Sequence, residues 1–354
     1  MSPPPLLDVK DLTIALRTSR GIRRAVDGIS FTIGPGAILG LAGESGSGKT
    51  LTALSILGLL PMGARTSGSI RFDGRELLGL KRGELREVRG KQVALVSQDP
   101  ATALHPLLRI DVQMTEHVRA HLGFTKEQAQ QRAIEMLNAV RIPDPETALY
   151  AYPHQFSGGM RQRIAIAMAL ACEPRLLIAD EPTTALDVTV QAGILQLLDR
   201  LRRERGVSVL IITHDLGVLS SVSDRICVLY GGRVAEYGAT PVVLGSPRHP
   251  YTQGLMRSLP GASETGVAMM PIQGAPPSLD AMPSGCAFHP RCEWAQESCR
   301  TIVPTLRNLP DGRQLACDVD PLKEGASATE VPGTASAGPA LPAHAGDPWP
   351  VGQT

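Results

Sequence analysis

Gly43-Glu44-Ser45-Gly46-Ser47-Gly48-Lys49-Thr50 constrains this chain more than any other stretch. It fits G-x-x-x-x-G-K-[ST], a loop whose backbone N–H groups cradle phosphate oxygens. The run Ala37 to Ala42 reads as a short buried strand before it, and the apolar run Leu51 to Leu60 as a helix after it. Three glycines let the backbone turn tightly, so that successive N–H groups point inward at an anion. The opening helix adds the positive end of its dipole. The motif's chemistry assigns Lys49 to the terminal phosphates and the Thr50 hydroxyl to Mg²⁺. A Gly/Ser-rich turn before an ordinary helix would have no reason to fill every fixed position with both flanks in place.

The chain has 354 residues, room for one large domain and a smaller one. With 43% hydrophobic and 19% charged residues it has a globular composition. A net charge of +1 gives no overall field toward nucleic acid or an anionic membrane, so no nucleic-acid partner is expected. No apolar run reaches the roughly 18 residues that span a bilayer, and the first residues lack the pattern of a secretory signal. The expected compartment is the cytosol, where thiols stay reduced. Any contact with a membrane must then come through a partner.

Strands are expected over Leu7 to Leu16 and Gly28 to Ile33, with a hairpin arm at Ser69 to Phe72 before the Asp73-Gly74 turn. These could form an antiparallel sheet beside the phosphate-binding core. Arg75 to Arg89 reads as a charged surface helix. Residues 108–140 read as helical, with a capping box at Thr125 to Gln128. Buried strands are expected at Gln92 to Val96, Leu176 to Ala179, Val207 to Ile212 and Ile226 to Tyr230, with a helix from Val188 to Arg205. Strands alternating with helices imply an α/β fold with a parallel sheet covered on both faces. After about Tyr237, Pro, Gly and Ser become frequent, and from Pro321 an Ala/Gly/Pro/Ser-rich stretch reads as a disordered tail.

Nucleotide hydrolysis needs more than a loop. The apolar strand leading to Asp180-Glu181 would deliver carboxylates beside the phosphates. There Asp180 can hold Mg²⁺ and Glu181 can take a proton from the attacking water. Phe156-Ser157-Gly158-Gly159 opens directly into an amphipathic helix, which makes a second anion site. Two phosphate-binding helix ends in one chain point to half-sites completed by another subunit.

At these residues the sequence resembles the ATP-binding cassette (ABC) ATPases, whose signature motif has the Ser157-Gly158-Gly159 form. The resemblance extends to Gln98 as the family's glutamine loop, Asp187 as its subunit-contact loop and His214 as its switch histidine. It implies a dimer of cassettes that sandwiches ATP between Gly43–Thr50 of one subunit and Ser157–Gly159 of the other. Lys49, Gln98 and His214 would surround the γ-phosphate, Thr50, Gln98 and Asp180 would attend Mg²⁺, and Glu181 would act as base. It also implies an ABC-type nucleotide-binding domain with a parallel core sheet, an antiparallel β subdomain and a helical subdomain. One departure is that no aromatic side chain precedes Phe31 to stack on adenine, which leaves Arg20 or Ile22 to cover the base.

Further stretches resemble the dipeptide/oligopeptide importers: Ser97-Gln98-Asp99-Pro100, Tyr152-Pro153-His154-Gln155-Phe156, and Arg248-His249-Pro250-Tyr251-Thr252-Gln253. The match is nearest the D-type ATPase subunit, with nickel importers closely related. It implies a second, F-type ATPase or a homodimer, two transmembrane permeases and an extracytoplasmic peptide-binding protein. The chain would then work as a peripheral protein on the cytoplasmic face of the inner membrane. A soluble ABC ATPase acting on DNA or ribosomes would usually carry a coiled coil or two cassettes, and neither occurs here. A third possibility is a regulatory protein in which ATP only gates an interaction. The expected layout is a nucleotide-binding domain over 1–240, a transporter-type extension over 241–320 and a tail over 321–354.

Cys286, Cys292, Cys299 and Cys317 form a four-thiolate set in that extension, whereas Cys172 and Cys227 fall in core segments. A reducing compartment disfavours disulfides, and the C-x₂-C knuckles of zinc ribbons are missing. Spacing alone does not choose between metals. Resemblance to members that carry a [4Fe–4S] cluster favours iron–sulfur, with zinc as the alternative. Arg291 and Arg300 stand beside the ligands and are expected to offset the cluster's charge.

Overall fold

The computed structural model describes residues 3–99, 103–183, 187–259 and 270–319. The tail expected from Pro321 lies outside the described residues, as do Pro100, Ala185 and Leu186.

Apolar runs on both faces of a strand demand cover on both faces, and this decides the architecture. Strands β3 (Ile38–Ala42), β7 (Leu176–Asp180) and β8 (Ser208–Thr213) are buried at every residue. With β6 (Val93–Val96) and β9 (Arg225–Tyr230) they form a parallel array in the order β9-β3-β8-β7-β6. Side chains alternate across it. Leu39, Leu41, Ile178 and Ile212 enter one core, which is shared with the Lys49–Ile56 helix and the antiparallel sheet. Ile38, Ala179 and Ile211 enter the other, shared with the helices at 110–122, 126–139, 158–170 and 188–205.

That antiparallel sheet has the order β2-β1-β4-β5, from β1 (Leu7–Thr18), β2 (Gly21–Ile33), β4 (Arg65–Phe72) and β5 (Arg75–Glu76). Arg75 and Glu76 were expected to open a helix. Asp73 and Gly74 instead take φ of 50° and 78° and turn the chain back, and the helix begins only at Arg82. The helical stretch after 108 is two helices, Ile110–Leu122 and Lys126–Ala139. Gly123 ends the first at φ 68°, and Thr125 caps the second with its hydroxyl on the Gln128 N–H.

Strand β10 (Arg233–Ala239) is an element that the sequence pattern did not announce. It returns antiparallel to β9 through Gly231-Gly232, whose φ values of 55° and 80° suit a two-residue hairpin turn. Short strands β11 (Arg307–Asn308) and β12 (Gln314–Leu315) continue the sheet, with Leu315 opposite Glu236. The extension therefore shares its sheet with the cassette. Its anchor is an ion pair between Arg313 and Glu236 at 2.8 Å, only 3% and 0% exposed. Glu236 also accepts from the Arg248 and His249 N–H groups, so the buried carboxylate is fully satisfied.

Among the described residues, no helix is long and apolar enough to cross a membrane.

Candidate active site

The parallel strands point their carboxyl ends at one crevice, where open α/β sheets bind ligands. Gly43–Thr50 follows β3, Gln98 follows β6, Asp180 ends β7 and His214 follows β8. Four neighbouring strands thus deliver most of the residues expected from sequence.

The loop has the conformation its glycines permit. Gly43 sits at φ 147°, where an added Cβ would lie 2.3 Å from the Leu229 carbonyl oxygen. Gly48 at φ 100° caps the helix that Lys49 begins. Lys49 is 6% exposed, and its Nζ donates to the carbonyls of Gly43 at 2.6 Å and Glu44 at 2.9 Å, and to Ser47 Oγ at 3.4 Å. Burial lowers its pKa, against the raising influence of Glu181, Asp180 and Glu44. Its ammonium thus rests on the loop's own oxygens, beside the N–H groups an anion would meet. Ser45 and Gly46 form the exposed tip of the loop.

Thr50 Oγ1 donates to Asp180 Oδ1 at 3.4 Å. Burial raises the Asp180 pKa and the neighbouring Glu181 adds to it, while Thr50 and Lys49 act the other way. A buried carboxylate held above its usual pKa beside a hydroxyl is a hard-oxygen pair that a divalent cation would satisfy. This fits Mg²⁺, which takes one or two protein oxygens and fills its octahedron with water and phosphate.

Glu181 stands next along the chain at φ 46°, an uncommon conformation for a residue with a side chain. It turns the carboxylate out of the strand toward two partners. Gln98 Nε2 donates to Oε2 at 2.9 Å, and His214 Nδ1 lies 3.4 Å from Oε1. Gln98 and His214, both expected at the γ-phosphate, therefore each meet Glu181, the expected base.

Ser157, Gly158, Gly159 and Asp187 form a separate group. Ser157 caps the Gly158–Leu170 helix by accepting from the Met160 N–H, and Asp187 caps the Val188–Arg205 helix through the Val190 N–H. Gly159 lets these two helices approach, because a Cβ there would fall 2.6 Å from Val190 Cγ1. Among the described residues, no hydrogen bond joins this group to the Gly43–Thr50 loop. Arg20 and Ile22, expected near adenine, are exposed at the β1–β2 hairpin.

Residues that sequence reasoning missed surround Glu44. Tyr251, wholly buried, accepts from the Glu44 N–H at 2.7 Å. Arg291 donates to both Glu44 carboxylate oxygens, at 2.6 and 3.0 Å. This corrects the expectation for the two arginines: Arg291 directs its fork at the loop, and Arg300 pairs with Glu297 on the surface. No local pattern could reveal a partner 247 residues away.

The four extension cysteines are of intermediate exposure and none is in a disulfide among the described residues, and the Cys286 N–H donates to the Cys299 carbonyl at 2.9 Å. Burial pushes the Cys292 thiol up to about 12, with Cys317, Cys286 and Cys299 adding to the shift. Among the described residues, however, no three His, Cys, Asp or Glu are grouped to hold a metal ion.

Comparison with known proteins agrees with this geometry. A family model described as "ABC transporter" matches residues 26–184, and one described as "Oligopeptide/dipeptide transporter, C-terminal region" matches residues 235–299. The chain is 45% identical over 313 residues to the oligopeptide transport ATP-binding protein OppD of Haemophilus influenzae, covering 88% of this chain and 97% of that protein. It is 43% identical over 329 residues to the dipeptide transport ATP-binding protein DppD of the same organism, covering 93% and 99%. Among solved structures, a dimeric post-hydrolysis state of the ATP-binding cassette MJ0796 bound to ADP and Pi is 29% identical with a TM-score of 0.59. It covers 66% of this chain and 98% of that one. The chain belongs to the ABC transporter ATPases, in the branch of the oligopeptide and dipeptide transport ATP-binding proteins.

Proposed function

We propose that this chain is the ATPase subunit of a peptide importer, coupling ATP binding and hydrolysis to import of di- or oligopeptides through partner permeases. The observation that carries the ATPase half is the convergence of Lys49, Thr50, Asp180, Glu181, Gln98 and His214 at the ends of adjacent strands. The importer half is supported by the names of relatives that match nearly end to end. Lys49 would exchange the loop carbonyls for the terminal phosphates, and Thr50, Asp180 and Gln98 would hold Mg²⁺, which when bound would supply charge neutralisation to the phosphates. Glu181, aligned by Gln98 and His214, takes the proton of the attacking water.

The Ser157–Gly159 turn serves the loop of a second cassette, with Asp187 at the contact between them. That second cassette is an F-type subunit or another copy of this chain. Two permeases and an extracytoplasmic peptide-binding protein complete the assembly, which sits on the cytoplasmic face of the inner membrane. Residues 1–240 form the nucleotide-binding domain and 241–320 the extension. The test is co-purification from detergent-treated membranes together with phosphate release from ATP. Recovery of hydrophobic permeases and Mg²⁺-dependent turnover is the expected result; turnover without any permease would point to a soluble ABC ATPase.

The donor set of four neighbouring thiols supports a [4Fe–4S] cluster held by Cys286, Cys292, Cys299 and Cys317. Zinc is the alternative, and either group would serve here as a structural clamp. Iron, acid-labile sulfide and zinc content after anaerobic purification decides it. About four iron and four sulfide per chain, lost in Cys292→Ser, is expected, whereas about one zinc would overturn the cluster.

A further inference from the structure

The phosphate-binding loop carries a carboxylate of its own. Glu44 is its second residue; its main-chain oxygen accepts from Lys49 Nζ and its carboxylate acts on that ammonium, so its charge lies close to the place where phosphates bind. Left alone, that charge would repel an anionic ligand. The extension answers it. Arg291, 5% exposed, forms the two-pronged bridge to Glu44, which is 25% exposed. The guanidinium is itself fixed from other directions: its Nε donates to the Gln273 carbonyl at 2.9 Å, and Nη1 also reaches Tyr230 Oη at 3.2 Å. Tyr230, Tyr251 and Phe288 pack ring against ring beneath it, with centroids 4.5 to 5.3 Å apart. Tyr251 meanwhile holds the Glu44 N–H. Main chain and side chain of one loop residue are thus both gripped by elements beyond β10.

We propose that Arg291 is a positioning residue for nucleotide binding, through which the extension neutralises Glu44 and fixes the start of the phosphate-binding loop. The inference rests on the nucleotide-site reading given above and adds a role for the extension within it. Neutralisation gives the proposal its signature. Without Arg291, the Glu44 carboxylate is uncompensated beside the phosphates, and the rest of the catalytic set is untouched. Affinity should fall while turnover at saturation persists. Removing the Glu44 charge as well should restore binding. A Lys at 291 supplies the charge without the fork and should recover only part.

The experiment uses the full-length chain and a fluorescent ADP analogue with Mg²⁺, alongside steady-state ATP hydrolysis. Arg291→Ala is expected to weaken analogue binding about tenfold, equivalent to about 1.4 kcal/mol. It should raise KM for ATP by a similar factor and leave kcat within about twofold. Glu44→Gln added to Arg291→Ala should return the affinity to within about threefold of wild type. A collapsed extension could not be rescued by a change in the loop, so the double variant separates neutralisation from misfolding. The inference is overturned if Arg291→Ala binds within twofold of wild type, or if the double variant stays as weak as Arg291→Ala. A wild-type chain that binds no nucleotide would overturn the nucleotide-site reading itself.

Discussion

Replacing Glu181 with Gln tests the chemistry most directly, because the structure shows how little else would change. Gln has the same shape and can occupy the same backbone conformation at φ 46°. Its amide oxygen can still accept from Gln98 Nε2, which now reaches Oε2 at 2.9 Å. Its amide NH₂ can face His214 Nδ1, now 3.4 Å from Oε1, provided that nitrogen accepts. The bonds of Lys49 to Gly43, Glu44 and Ser47 and of Thr50 to Asp180 do not use the Glu181 carboxylate, so the loop and the cation pair keep them. What is lost is the capacity to take a proton. General-base catalysis contributes about 10²- to 10⁴-fold, or roughly 2.7 to 5.5 kcal/mol of barrier at about 1.4 kcal/mol per decade. Glu181→Gln should therefore lower kcat by two to four decades while nucleotide affinity stays within a few-fold of wild type. Phosphate release under saturating ATP and equilibrium binding of a nucleotide analogue measure the two quantities. Turnover within tenfold of wild type would refute Glu181 as the base, and loss of binding would refute the claim that its role is confined to the proton.

Other perturbations follow from the same geometry. Asp180→Asn should abolish the Mg²⁺ enhancement of nucleotide binding while leaving Mg²⁺-free binding nearly intact, as a titration with and without chelator would show. Gly43→Ala should eliminate nucleotide binding, since its Cβ would collide with the Leu229 carbonyl at 2.3 Å; an unchanged dissociation constant would contradict the loop geometry. Arg313→Met should destabilise the fold by about 3–5 kcal/mol, because it strands the buried Glu236 carboxylate; denaturant unfolding measures it. His249 is buried, its Nδ1 accepts from the Tyr251 N–H, and burial lowers its pKa to about 4. Between pH 6.5 and 4 the unfolded chain binds the proton that the folded chain refuses. Stability should therefore fall with decreasing pH in that window, by at most about 1.4 kcal/mol per pH unit, and His249→Asn should flatten the slope.

The nucleotide loop was legible because its requirements are local: glycines at fixed offsets, a buried strand before and a helix after. The same holds for the buried strands of the parallel array and for the caps at Ser157 and Thr125, where neighbouring residues carry the whole signal. Strand β10 was hidden because Glu236 puts a charge where an apolar residue would mark a buried strand, and its compensating Arg313 is 77 residues away. The Gly231-Gly232 turn was a signal that could have found it. Arg75-Glu76 read as the start of a helix because two residues are too few to show a strand's alternation. Asp180 and Glu181 were legible because an apolar strand leads into them downstream of the loop, whereas His214 was found through the resemblance, since a lone histidine carries little information by itself. The Arg291–Glu44 bridge was beyond any local reading: Arg291 stands next to Cys292 in sequence, and proximity there drew attention to the wrong partner.

The short β10–β12 pairing has a bearing on how this protein behaves outside its assembly. A cassette cut at residue 240 would end its large sheet in a bare strand, with the N–H and C=O groups that now face Leu315 and Gln314 left open. Tyr237, 6% exposed in the intact chain, lies along that strand, and such an edge is a template for other strands to join. It would also uncover the apolar ring of Tyr230, against which Tyr251 and Phe288 now pack. The shortened protein would tend to associate with itself and precipitate, so the described residues beyond 240 act as a built-in cover that keeps the sheet from polymerising.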